Sequence, residues 1–214
     1  VQRTRIKICG LTRPEDAAVA VAAGADALGV VLAPSRRQVT LKEAAAVFAD
    51  VPPFVARIGV FVDARADDIW EAVARLGLTA VQYHGTEAPE TCEVAPVPVM
   101  KAFRVGPGFD TSAADGYRGV VSALLLDTLV PGEQGGTGVT FDWEDVGSRI
   151  PKWAPVILAG GLTPDNIRDG IRALKPYAVD VSSGVESAPG IKDHALIRSF
   201  CAAVRAADGE VEGS

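Results

Sequence analysis

Apolar and polar positions along the chain follow two alternating rhythms. Short runs rich in β-branched and other apolar residues predict eight strands: RIKIC (5–9), DALGVVL (26–32), FVARIGVFV (54–62), TAVQYH (79–84), VPVMKAFRV (97–105), SALLLD (122–127), APVILAG (154–160) and YAVDVSS (177–183). Between them, apolar residues recur at helical spacing over 13–23, 41–49, 66–76, 87–94, 142–149, 164–174 and 192–206. Only 106–120 reads poorly as a helix. Thr12-x-x-Glu15 and Thr40-x-x-Glu43 have capping-box spacing, and Thr163 precedes Pro164 as a cap before a first-turn proline.

No linker or low-complexity segment interrupts these units. The expectation is one domain over 1–214, an α/β fold of the (β/α)8 TIM-barrel type rather than an open doubly wound sheet. Strand count alone does not decide closure. In a barrel, alternate side chains face inward. Ile6 and Ile8 suit the outer face of the first strand, which turns Arg5, Lys7 and Cys9 inward, with Cys9 at the C-terminal mouth where barrel enzymes work. Lys7, Arg57 and Asp180 are all expected inside. A buried lysine needs a partner, and closure makes strands one and eight neighbours, so Lys7 is expected to pair with Asp180.

Composition narrows the class. Among 214 residues, 48% are hydrophobic and 22% charged, which suits a large core. The net charge of −6, with no Lys/Arg run, argues against nucleic acid as a partner. No stretch reaches the ~20 apolar residues of a membrane span, and no secretory-signal pattern opens the sequence. Cys9, Cys92 and Cys201 are an odd set at unrelated spacings, which suits a reducing cytoplasm rather than a disulfide framework or a zinc site.

Candidate chemistry concentrates at the strand ends. ILAGGLTPDNI passes from strand seven through Gly160 and Gly161 toward a helix, and VDVSSGVE ends strand eight at Ser182 and Ser183. Glycines let backbone N–H groups approach an anion, and the loops after strands seven and eight of barrels commonly bind phosphate. LLLDTLVPGEQGGTG exposes Asp127 at the end of a buried strand, followed by a glycine-rich loop (Gly135, Gly136, Gly138) suited to covering a ligand. Each residue also has a plainer reading. Asp127 could cap a turn, Cys9 could be a small buried hydrophobe, Arg36 and Arg37 could be solvated, and His84 could be a packed strand-end histidine.

The combination is more specific than its parts. KICGLT, GADALGVV, FVARIGVFV, VQYHG, LLLDT, GGTGVTFDW, LAGGLTPDNI, DVSSGVE and PGIKDH occur in one order over nearly the whole length, and the chain resembles the phosphoribosylanthranilate isomerase family. That resemblance implies an Amadori rearrangement of N-(5-phosphoribosyl)anthranilate without metal or organic cofactor. It implies Asp127 as general acid toward the furanose oxygen and Cys9 as general base at C2. It also implies Arg37, in PSRRQV, as the functional arginine, with Arg36 the alternative. Gly136, Gly160, Gly161, Ser182 and Ser183 are the other expected substrate contacts. The expected partner is a phosphorylated small molecule, and the expected state is a monomer or homodimer.

Other readings make different demands. A related sugar-phosphate isomerase of histidine biosynthesis would place an aspartate where Cys9 stands. A Schiff-base aldolase would use Lys7 or Lys101. A non-catalytic phosphate-binding barrel would explain the two loops but not Cys9, Asp127 and Arg37 together.

Overall fold

The computed structural model describes residues 3–106, 109, 111–128 and 151–212. Eight parallel strands close into a barrel in sequence order. They are β1 (Arg5–Ile8), β2 (Ala27–Val31), β3 (Ala56–Phe61), β4 (Ala80–Tyr83), β5 (Val99–Val105), β6 (Ala123–Thr128), β7 (Val156–Ala159) and β8 (Ala178–Val181). The closing pair is β8 with β1, in a register that sets Lys7 against Asp180. This is the TIM barrel expected from the pattern, and the closure that strand count left open is present.

Helices lie at Pro14–Ala22, Leu41–Phe48, Ala66–Leu76, Pro89–Glu93, Ile167–Leu174 and His194–Glu212. The weak stretch after β5 contains a 3-10 helix, Thr111–Tyr117. The helix expected over 142–149 and the loop carrying Gly136 lie outside the described residues. A small hairpin, Glu186–Ala188 with Ile191–Lys192, follows β8 and was not visible in the pattern.

Alternation sorts the side chains into two layers. Ile6, Ile8, Leu28, Val30, Phe61, Val81, Tyr83, Val179 and Val181 pack outward in the core shared with the helices. Ala102, Ala123, Leu125, Ile157, Ala159 and Ala178 form a separate cluster of the opposite parity, filling the interior. Elsewhere the interior is polar: Lys7, Gln82 and Asp180 are all buried.

Three expectations need correction. Arg57 shares outward parity with Phe61, while Val60 lines the interior, and its guanidinium donates to the carbonyl of Val51 at 2.9 Å. The helix after β1 begins at Pro14 with Arg13 as N-cap, so Thr12 and Glu15 form no capping box; the Thr12 hydroxyl donates to Gly190 O instead. After β7 the helix starts only at Ile167, behind Asn166, and Thr163 is not its cap. The Thr40–Glu43 capping box is present in both directions.

Candidate active site

Strand ends and the loops behind them enclose a cavity of about 840 Å³ at the C-terminal mouth. Cys9, Arg37, Asp127, Gly160, Gly161, Ser182 and Ser183 all line it, so every predicted site residue that is described reaches one space. Arg36 is exposed and is not among its lining.

Cys9 follows β1 directly and keeps its inward parity; it is 7% exposed. Room for its sulfur comes from Gly29 on β2, where an added Cβ would sit 2.9 Å from Sγ. Burial raises the thiol pKa and Asp180 raises it further, while Lys7 and Lys192 pull it back without cancelling the rise. The side chain is therefore a thiol whose ionisation depends on nearby cations.

Beneath Cys9, Lys7 donates to Asp180 Oδ2 at 2.8 Å and to Gln82 Oε1 at 2.9 Å. Asp180 Oδ1 is buried, lacks a hydrogen-bond partner among the described residues, and belongs to a residue lining the cavity. Gln82 continues through Nε2, 3.0 Å from His84 Nδ1, and His84 Nε2 lies 3.1 Å from Asp127 Oδ2. An unbroken polar row thus runs from the neighbourhood of the thiol to the carboxyl, along inward positions of β1, β4 and β6. Arg104 stands in register with Asp127 on β5 and also lines the cavity.

One wall of the cavity is formed by the loops after β7 and β8. Gly160 and Gly161 have φ of 85° and 61°, left-handed values that side chains resist, and both residues line the cavity. Asn166 braces this turn, donating to Gly161 O and accepting from Thr163 N, both at 2.8 Å. After β8, a 3-10 turn spans Ser183–Val185, and the opening N–H groups of such a turn have no partner within it. The two loops touch at Gly184, where a Cβ would collide with the carbonyl of Leu162.

Arg37 is held from behind. Its Nε and Nη2 donate to the two carboxylate oxygens of Glu186, each at 2.7 Å, leaving Nη1 for another anion. Lys192, also buried, donates to Glu186 Oε1 at 2.8 Å and to Ser182 O at 3.0 Å, joining the arginine support to the serine loop. Burial acts to raise the Glu186 pKa, but hydrogen bonds from Arg37 and Lys192 outweigh it and hold the carboxyl below its ordinary range.

Gln82, Glu186, Lys192 and Arg104 escaped the sequence reading. Only Gln82 offered a signal, as the residue two before His84 on the same face. The two aldolase lysines are committed elsewhere. Lys7 is in the buried pair, and Lys101 donates to Glu87 at 2.9 Å and to Gly85 O at 2.7 Å.

A closed barrel with a thiol, a carboxyl and the glycine and serine loops after β7 and β8 around one cavity at its C-terminal mouth has the architecture of a barrel enzyme. The profile of one family, N-(5'-phosphoribosyl)anthranilate (PRA) isomerase, matches residues 6–203, and the chain belongs to that family. The N-(5'-phosphoribosyl)anthranilate isomerase of Leptothrix cholodnii is 50% identical over 208 residues, covering 96% of this chain and 93% of its own. That of Pseudomonas putida KT2440 is 49% identical over 97% of this chain and 100% of its own. Among solved structures, the Thermotoga maritima enzyme has a TM-score of 0.85 at 41% identity, covering 95% of this chain and 99% of its own. A phosphoribosyl anthranilate isomerase bound to reduced 1-(o-carboxyphenylamino)-1-deoxyribulose 5-phosphate has a TM-score of 0.83 at 38% identity, with the same coverage.

Proposed function

We propose that Cys9 is the general base and Asp127 the general acid of the rearrangement that this family performs. The chain isomerises N-(5'-phosphoribosyl)anthranilate to 1-(2-carboxyphenylamino)-1-deoxyribulose 5-phosphate, a step of tryptophan biosynthesis. Asp127 gives its proton to the furanose oxygen, the C1–O bond breaks, and the anthranilate nitrogen lone pair forms the Schiff base. Cys9, as thiolate, takes the C2 proton, and the C–H electrons become the C1–C2 double bond of the enolamine. Proton transfer from the C2 hydroxyl to C1 then leaves the ketone. Each turnover moves one proton from Asp127 to Cys9, and it must return before the next.

The observation carrying this assignment is that thiol, carboxyl and both anion loops line one cavity. Gly160, Gly161, Ser182 and Ser183 take the phosphate, with Gly136 as a further contact. Arg37 takes the anthranilate carboxylate through Nη1 and so matters more than Arg36. Loss of phosphoribosylanthranilate fluorescence during turnover tests the activity, and the same assay on the variants discussed below tests the roles.

Among the described residues, no helix is long and apolar enough to cross a membrane. A cytoplasmic location and a small-molecule partner without nucleic acid complete the reading. Of the two expected states, we favour the homodimer: a Thermotoga maritima relative is described as dimeric, and Phe54 here is 97% exposed. Sedimentation of the wild type beside Phe54→Glu tests it.

A further inference from the structure

We infer that Gln82 is a positioning residue: it dictates which nitrogen of His84 carries the proton, and so which oxygen of Asp127 holds the proton used in catalysis. The polarity originates at Lys7, because an ammonium group can only donate. Its Nζ lies 2.9 Å from the Gln82 amide, so the atom facing it is the amide oxygen. Asp180 holds the ammonium in place at 2.8 Å, inside the barrel, with both side chains almost fully buried.

With the amide oriented, its other end has no freedom. Nε2 is a donor and lies 3.0 Å from His84 Nδ1, so Nδ1 must supply a lone pair. A proton on Nδ1 would face an NH2 group. The ring proton therefore sits on Nε2 and is donated to Asp127 Oδ2 at 3.1 Å. With Oδ2 occupied as acceptor, the acid proton of Asp127 belongs on Oδ1. A charge deep in the barrel thus selects the working oxygen of a carboxyl on β6, through three donor–acceptor steps of fixed polarity.

Gln82 does not conduct the proton, since a primary amide relays one only through a costly imidic acid. Its role is to set polarity. This inference rests on Asp127 being the acid, but its first readout needs no turnover.

The test is the tautomer of His84, read by nitrogen-15 NMR of the full chain with labelled histidine. His84 and His194 are the only histidines, and His84 is assigned by the signal lost in His84→Asn. The wild type should show Nε2 protonated and Nδ1 bare. Gln82→Met, which removes the donor, should populate both tautomers. Gln82→Glu presents an acceptor to Nδ1 and should draw a proton there. In both variants kcat should fall at least about tenfold, as expected when a catalytic hydrogen bond is offered by the wrong tautomer, with KM within about twofold. If Gln82→Met does not fold, Gln82→Glu decides alone, having the same shape. An Nδ1–H tautomer in the wild type would overturn the inference. So would a loss of kcat in the variants with the tautomer unchanged, because that would make Gln82 merely structural. If the tautomer shifts while kcat holds, the lock stands and it is Asp127 as acid that fails.

Discussion

Lys7 on β1 and Asp180 on β8 face each other across the seam that closes the barrel, 2.8 Å apart and almost wholly out of water. Burial alone would strip the lysine of its charge, but Asp180 and the nearby Cys9 more than offset that and hold its pKa above the ordinary value. The sign follows. A raised lysine pKa contributes stability that is complete below the ordinary value of 10.5 and is lost as pH climbs through the folded value.

Breaking this pair from one side should be expensive. Lys7→Met leaves the buried Asp180 carboxylate without the cation that pairs with it. It should cost about 3–5 kcal/mol in urea unfolding at neutral pH, whereas Lys7→Met with Asp180→Leu should recover most of that loss. Equal losses in the single and double variants would show that packing, not charge, is what the pair contributes.

Much of this was legible because parity in short amphipathic strands is simple to read. RIKIC alternates cleanly, so Lys7, Cys9 and the partnership with Asp180 followed from counting. FVARIGVFV is apolar on both faces, so nothing in it reveals direction, and Arg57 came out on the wrong side. Glu186 and Lys192 were invisible for another reason. Their meaning lies in contacts with Arg37, which is 149 positions from Glu186, and no local pattern carries that distance. At Thr12 the spacing matched a capping box, but Pro14 set the start of the helix one residue later and the hydroxyl found Gly190 instead.

Arg37 should outrank Arg36, because Glu186 fixes its guanidinium beside the cavity while Arg36 stands in solvent. Arg37→Ala should raise KM about tenfold or more, the loss of one charge-assisted contact, and Arg36→Ala should leave both constants near wild type. A loss confined to Arg36→Ala would reverse the assignment. The Glu186 support also has an acid limit. Its depressed pKa means stability present above the ordinary glutamate value of 4.5 and lost as pH falls through the folded value, a dependence that Glu186→Gln should flatten in acid unfolding curves.

Gly161 should be intolerant of any side chain. At φ 61° a β-branched residue is strained, and under the proposed phosphate assignment its bulk would block the anion's approach to the loop. Gly161→Val should therefore act mainly on KM and on affinity for a phosphorylated product analogue, with kcat at saturation changed much less. A variant that folds and keeps the wild-type KM would remove this loop from the phosphate site.

The acid–base pair gives the sharpest contrast with a structural reading. General acid or base groups are worth roughly 10²- to 10⁴-fold, or about 3–5 kcal/mol of barrier. Cys9→Ser keeps the size but offers a hydroxyl far harder to ionise, and Asp127→Asn keeps the shape but has no carboxylic proton to give. Both should lose kcat by that order while still binding the product analogue, and neither should unfold. The thiol adds a pH signature. Because burial and Asp180 raise its pKa while Lys7 and Lys192 restrain the rise, kcat/KM should climb with pH on the alkaline side of neutrality. Lys7→Met, if folded, should displace that climb to still higher pH by removing a cation that favours the thiolate. A structural cysteine predicts the reverse: a small stability change in Cys9→Ser, nearly normal turnover and no such limb. Normal turnover by that single variant, measured by the fluorescence assay, would end the case for Cys9 as base.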